Sequence, residues 1–290
     1  MPDLDFSIII PSYNRPVRLA ACLEALGRLE YPTERFEVIV VDDGSAPPLS
    51  ASAAPFNLTV MRQENSGPAA ARNAGAARAR GTFLGFTDDD CAPAPDWLSK
   101  LVPALRSESA CMVGGRTVNA LTTNPYAEAS QNLVSYLYRY FDAHPSRERF
   151  FTSNNLAVPA SEFWSIGGFD TSFRQAAGED RWLGVEWRRR SWPMRYLPDA
   201  VVMHSHDLNL RSFWRQHVTY GRAALRFRRL RARSGLRRLP PEPGTFYFGL
   251  LRYPWTVRNA RPFRQSGLLV LSQVANTLGY FREWTAGRPS

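Results

Sequence analysis

Three aspartates in succession, Asp88-Asp89-Asp90, follow the apolar run Thr82-Phe83-Leu84-Gly85-Phe86. Adjacent carboxylates at the end of a buried strand repel one another. Each raises its neighbours' pKa, and the cluster loses stability unless a cation sits among them. A hard divalent ion such as Mg2+ or Mn2+ takes oxygen ligands and commonly shares them with a phosphate. Open α/β sheets bind ligands at the carboxyl ends of their strands. The triplet therefore fits a metal–phosphate site on such an edge. It fits equally a solvated acidic turn ahead of a helix that starts near Asp96.

Further residues have chemistry that complements the triplet. Asp42 and Asp43 close the run Val38-Ile39-Val40-Val41, where a carboxylate can accept the imide or amine hydrogens of a base, or ribose hydroxyls. Asp-Gly-Ser is also turn chemistry. Arg72 stands early in an alanine-rich helix, where a guanidinium can brace a nucleotide or a neighbouring carboxylate. Glu179-Asp180 opens another helix, a position that the helix dipole favours for acids in any case. His204 and His206 end a short strand, as metal ligands or as ordinary surface imidazoles.

The elements that must position these groups follow from periodicity. Phe6-Ser7-Ile8-Ile9-Ile10 is a β-branched run, the pattern of a strand buried on both faces. Pro16 opens a helix with an apolar stripe at Leu19, Cys22, Leu23 and Leu26. A second strand covers Val38–Val41 and a third Leu58–Met61. Gly67-Pro68 begins a helix running to about Arg80, and Thr82–Phe86 is a fourth strand. Strands and helices in this alternation predict βαβ units and a mainly parallel sheet. Beyond Gly115 the regularity fades. Helices are expected over 126–141, 161–166, 179–190 and 210–233, with short strands at 194–197 and 201–204. Residues 234–245, with three prolines and two glycines, read as a linker.

At 290 residues the chain can bury a large core, as one domain or as a domain with an appendage. No basic region followed by an apolar stretch opens it, so no secretory signal is expected. No apolar run reaches 18 residues; the longest, Gly267 to Phe281, is interrupted by Ser272, Gln273, Asn276 and Thr277. Cys22, Cys91 and Cys111 lack metal-site spacing and suit free thiols in a reducing cytosol. Residues 1–180 carry 15 basic and 21 acidic side chains; residues 181–290 carry 21 basic and 5 acidic. A C-terminal part with such an excess should meet an anionic partner, a membrane surface or a nucleic acid. Arginines from Arg211 to Arg238 interleave there with Phe213, Trp214, Tyr220, Leu225, Phe227 and Leu230.

Five blocks occur in a fixed order: Ser7 to Arg15 (SIIIPSYNR), Val41-Asp42-Asp43-Gly44-Ser45, Gly67 to Gly75 (GPAAARNAG), Asp88-Asp89-Asp90, and Gly167-Gly168-Phe169-Asp170 leading to Glu179-Asp180. Together they resemble a family 2 glycosyltransferase over roughly residues 6 to 230. The resemblance implies the GT-A (Rossmann-like) α/β fold, a mixed, mainly parallel sheet flanked by helices, here with a basic helical C-terminal extension. Residues 1–233 would form the catalytic domain, with 1–115 as the nucleotide-sugar half and 116–233 as the acceptor half. Residues 234–290 would be the extension.

The same resemblance implies residue roles. Asp43 meets a uracil-type ring, with Pro11 and Tyr13 lining its pocket beside Asp42, and Arg72 supports the donor. Asp89 contacts the ribose. Asp90 ligates Mn2+ or Mg2+, with Asp88 in support and His204, rather than His206, completing the set. Asp180 is the general base of an inverting displacement. Asn155 (beside Asn154), Glu179 and Trp182 fall on the acceptor side. The implied donor is a UDP- or TDP-type sugar and the acceptor a glycan or lipid-linked molecule. The enzyme would be cytoplasmic and peripheral on the inner face of the cell membrane, with no nucleic acid involved. Two alternatives are a nucleotidyltransferase and a nucleic-acid-binding protein that uses the basic region. The first needs a glycine-rich phosphate loop, and Ser12 to Pro16 contains no glycine. The second leaves the aspartate blocks without a role.

Overall fold

The computed structural model describes residues 4–50, 54–144, 149–173, 175, 177–237 and 239–286. Arg238 of the expected basic stretch lies outside them. The chain divides into two compact units: Met1–Ala120 with Phe150–Ser205, and Leu121–Arg149 with His206–Ser290. This division falls elsewhere than the boundary expected at residue 233, because the helix after Leu121 packs with the C-terminal helices rather than with the sheet.

The first unit opens with strand β1 (Phe6–Ser12), helix α1 (Pro16–Leu26), β2 (Phe36–Asp42), β3 (Asn57–Arg62), helix α2 (Pro68–Ala76) and β4 (Phe83–Phe86). Then come β5 (Cys91–Pro93), α3 (Trp97–Ser107) and β6 (Met112–Asn119). Helix α4 (Pro125–Ala143) belongs to the second unit. The chain returns as β7 (Leu156–Pro159), α5 (Ala160–Ser165), α6 (Glu179–Arg189) and β8 (Met194–His204). One eight-stranded sheet results, in the order β3-β2-β1-β4-β7-β6-β8-β5. Strands β1 to β4 are parallel, and β7 enters antiparallel to both β4 and β6.

β2 is buried at every position, and β1 at all but Pro11, as a continuous β-branched run requires of a strand covered on both faces. The stripe of α1 lies under it: Leu19, Cys22 and Leu26 join Ile8, Ile10, Val38 and Trp97 in the main core. Each fully buried leucine there contributes about 1.5–3 kcal/mol. All three cysteines are free and buried. α2 lies close on the sheet because Gly75 has no side chain; a Cβ there would stand 2.7 Å from Ile9 Cγ2. Where two short strands were expected, Met194–His204 is a single strand. Its register against β6 jumps between Gly115↔Leu197 and Arg116↔Val201. Pro198 in the skipped segment has no N–H for the ladder, which accounts for the break read in the sequence.

The second unit is helical: α4, α7 (Leu210–Arg233), α8 (Gly244–Thr256) and α9 (Pro262–Ala286). Asn124 caps α4 by accepting from the N–H groups of Tyr126 and Ala127, and Asn209 with Ser212 forms a capping box on α7. Leu133, Tyr136, Phe246, Leu250, Tyr253 and Leu269 form its core, beside a cluster of Ala129, Leu208 and Phe213. Phe213, Leu225 and Phe227 of α7 are thus interior. Its arginines are partly internal too: Arg222 and Arg226 pair with Glu283 at 3.0 and 2.8 Å, and buried Arg231 donates to the Arg237 carbonyl. Among the described residues no helix is long and apolar enough to cross a membrane.

Candidate functional site

Parallel register brings the carboxyl ends of three strands to one edge. Ser12 pairs with Asp42, and Phe86 with Ile9, so Asp42-Asp43 and Asp88-Asp89-Asp90 leave the sheet beside the end of β1. β7 runs the other way from Leu156, opposite Phe86, and β5 sets Cys91 opposite His204. Blocks far apart in sequence therefore share one rim, all within the first unit.

The triplet is held from several sides. Asp89 is 3% exposed; its Oδ2 accepts from the Ser12 hydroxyl at 2.7 Å and its Oδ1 from Arg15 Nη1 at 3.1 Å. Burial pushes its carboxyl up to about 6, against the pull of Arg15 and Ser12. Asp90 accepts from Arg15 at 3.4 Å and Arg18 at 3.2 Å, and its Oδ1 lies 3.2 Å from His204 Nε2. Burial draws the His204 pKa down, but the Asp90 carboxylate outweighs it and the net shift is upward. Asp88 points the other way and accepts from Arg72 Nη2 at 2.7 Å.

These donors fit a divalent cation. Asp90 and His204 already converge within ligand range of each other, and the buried acids gather guanidinium groups where positive charge is needed. A carboxylate-plus-imidazole set suits Mn2+ better than Mg2+. Asp90 and His204 would hold the ion. Asp88 would reach it only by releasing Arg72 or through water. His206 lies two residues past His204, in the second unit.

Arg72, 2% exposed, bridges two acids: Asp88, and Glu179 at 3.1 Å through Nη1. Burial, with Asp180 beside it, pushes Glu179 up to about 7 against the pull of Arg72. One Glu179 oxygen and the Arg72 Nε are buried without a hydrogen-bond partner. Asp180 is partly exposed, and its Oδ1 accepts from the Arg181 N–H at 2.7 Å. Burial also raises its pKa. Asn73, next to Arg72, clamps the Gly168-Phe169 segment by donating to the Phe169 carbonyl and accepting the Phe169 N–H. Helix α2 thus fixes both the triplet and the start of α6.

The donor-side residues separate into two kinds. Asp42 is a loop anchor: it accepts from the N–H groups of Ser45 and Leu49 and from Arg62. Burial raises its pKa, but these donors outweigh that and leave it below the usual range. Asp43 accepts from Gln63 and from the Ser66 and Gly67 N–H groups, tying its loop to the start of α2. Pro11 is half-buried, while Tyr13 is 48% exposed on a loop that Asn14 fastens to Ser45 and Ala46.

On the expected acceptor side the outcome differs. Asn155 is fully buried, and its side chain bonds to groups of the fold through both its oxygen and its nitrogen. Its Oδ1 accepts from Trp97 Nε1 at 2.9 Å, and its Nδ2 donates to the Arg116 and Ala200 carbonyls. It brackets α3, β6 and β8 and does not turn to the rim. Trp182 is also buried, on α6. Sequence reasoning missed Ser12, Arg15, Arg18 and Asn73 as site residues. Ser12, Arg15 and Asn73 lie inside quoted blocks, and Arg18, in the first turn of the helix that Arg15 precedes, reaches the same Asp90.

Comparison with known proteins gives the family and the fold. The family model described as "Glycosyl transferase family 2" matches residues 7–172, more than half of the chain. The chain is 36% identical over 209 residues to glycosyltransferase AglE of Haloferax volcanii, covering 68% of this chain and 66% of that one. It is 31% identical over 230 residues to the pre-mycofactocin glycosyltransferase of Mycobacterium tuberculosis, covering 76% of this chain and 47% of the relative. The chain thus spans about half to two thirds of these relatives. The mannosyltransferase PcManGT of Pyrobaculum calidifontis, solved with GDP-Man and Mn2+, superposes over 98% of this chain and 76% of its own with a TM-score of 0.59 at 17% identity. That likeness establishes a GT-A-like mixed α/β fold. An acid-lined rim on that fold, and a family match spanning its strand edges, identify the chain as a family 2 glycosyltransferase.

Proposed function

We propose that the enzyme moves a sugar from a UDP- or TDP-type nucleoside-diphosphate sugar to a glycan or lipid-linked acceptor, with Mn2+ or Mg2+ bound and with inversion at the anomeric carbon. The observation that carries this reading is the convergence of Asp88, Asp89, Asp90 and His204 with the Arg72–Glu179 bridge on one rim. The bound ion would neutralise charge on the departing diphosphate. Asp89 is offered to the ribose and the Asp43 loop to the base. Arg15 and Arg18, whose side chains are partly exposed, are suited to the diphosphate.

Asp180 is the base. Its raised pKa brings it nearer neutrality, where a carboxylate takes a proton more effectively. As the acceptor hydroxyl attacks the anomeric carbon, its proton passes to Asp180 and the bond to the diphosphate oxygen breaks. Glu179, engaged by Arg72, positions the helix start. Asp180→Asn is expected to lower turnover by about 10²–10⁴-fold while calorimetry with UDP or TDP and Mn2+ gives near-normal donor affinity. Loss of donor affinity would move Asp180 into the nucleotide pocket. Absence of metal-dependent binding of any nucleoside diphosphate would overturn the metal-assisted reading.

The second unit carries 19 basic and 6 acidic side chains against 17 and 20 in the first. That excess supports peripheral attachment to an anionic membrane surface, on the cytoplasmic face where such lipids and sugar nucleotides meet.

A further inference from the structure

Helices α8 and α9 leave an apolar face open among the described residues. On α9, Phe263, Val270, Val274, Leu278 and Phe281 are exposed, and Phe263 is 81% exposed. Their spacings of three, four and seven residues keep them on one side of the helix. On α8, Tyr247, Phe248 and Trp255 are exposed. Between the two runs lies a mainly apolar groove of about 380 Å³, lined by Leu250, Leu251, Val270, Val274 and Leu278 with the polar Gln273 and Thr277 among them. Contiguous apolar surface of this kind marks a docking site.

The rim says what docks. Arg252, Arg258, Arg261, Arg264 and Arg282 are all exposed. Trp255 and Phe263 pair at 5.2 Å near the helix turn, and Phe281 and Trp284 pair at 6.4 Å toward the other end. From Phe263 to Phe281 the stripe runs roughly 27 Å. Between residues 244 and 286 the one acid is Glu283, and it faces Arg222 and Arg226 of α7. Two copies meeting through this face would press arginines together with no exposed acid on either helix to receive them. Nucleic acid would leave the valines and leucines without a partner, since bases need ring faces to stack on.

We propose that this α8–α9 face is the surface that seats on an anionic lipid bilayer. The phenylalanine, valine and leucine side chains enter the acyl boundary, the tryptophans and tyrosine sit at headgroup level, and the arginines meet lipid phosphates. The proposal rests on the peripheral attachment put forward above and assigns it to α8–α9 rather than to the arginines of α7.

The test is flotation of the full chain with vesicles of phosphatidylcholine alone and of phosphatidylcholine mixed with phosphatidylglycerol, across a salt series. Binding is expected only to the anionic vesicles and should weaken with salt. The combined variant Phe248→Ser, Phe263→Ser, Phe281→Ser should bind at least about tenfold more weakly, because each ring adds transfer free energy. Arg264→Ser with Arg282→Ser should flatten the salt dependence. All five positions are exposed, and circular dichroism checks that the variants fold. A third variant, Arg211→Ser, Arg215→Ser, Arg228→Ser, Arg233→Ser, removes exposed charge from α7. If it alone abolishes binding, attachment stands and the α8–α9 assignment falls. If the wild type does not float with any vesicle, both fall. A wild-type dimer in light scattering that the phenylalanine variant dissociates would overturn the bilayer as occupant.

Discussion

Asp90 receives Arg15, Arg18 and His204 at 3.2–3.4 Å. A divalent ion arriving alone must displace two guanidinium groups from buried acids, while an ion arriving with a diphosphate offers those groups a new anionic partner. Metal and donor should therefore bind together. The variant Arg15→Ala, Arg18→Ala is expected to bind Mn2+ about tenfold more tightly in the absence of nucleotide, since one freed charge contact is worth about 1.4 kcal/mol. Its donor affinity should fall. Calorimetry with Mn2+ alone and with UDP present reads both; unchanged Mn2+ affinity would make the two arginines bystanders.

At the scale of elements, Asn155 joins one helix to two strands. Asn155→Ala removes the acceptor of the buried Trp97 N–H and the amide donor to the Arg116 and Ala200 carbonyls, and should destabilise the fold by about 3 kcal/mol. Chemical denaturation measures it; an intact midpoint with a raised acceptor KM would restore the acceptor role. Helix α7 carries a different liability. His217 is fully buried, neither ring nitrogen has a hydrogen-bond partner, and burial, with His206 nearby, lowers its pKa to about 4. The unfolded chain protonates near 6.5, which the folded imidazole resists. Its neutral form thus supports stability fully above pH ~6.5, and that support is lost as pH falls toward ~4, by about 3 kcal/mol in all. Melting curves between those limits should fall less steeply for His217→Leu than for the wild type; parallel curves would place the titrating group elsewhere.

Over the whole molecule, charge is divided by unit. The second unit has a net charge of +13 and the first −3. Repulsion among the exposed arginines of one helical unit opposes its compaction, and salt screens it over about a Debye length of 10 Å at 0.1 M. Raising salt from a low starting level should raise the melting temperature in calorimetry. A fall on adding salt would mean that ion pairs such as Glu283 with Arg222 and Arg226 dominate instead.

The α/β alternation, the strand-edge acids and the family were legible in the sequence. Each is a local signal: short β-branched and aromatic runs that stop at acids read as strands ending at a sheet edge, and the five blocks keep their order. Tertiary structure alone decided the rest. Arg72 joins Asp88 to Glu179, 107 positions away from itself, by a bridge that no spacing announces. Asn155 turned inward, where its amide joins the Trp97 N–H to the Arg116 and Ala200 carbonyls. Arginine interleaved with aromatics is the same composition in α7, where packing buries Phe213 and Phe227, and in α8–α9, where Phe246 and Tyr253 are buried but Phe248, Phe263 and Phe281 stay exposed. Composition states what a segment can bury; which face meets a neighbour depends on contacts between residues remote in the chain.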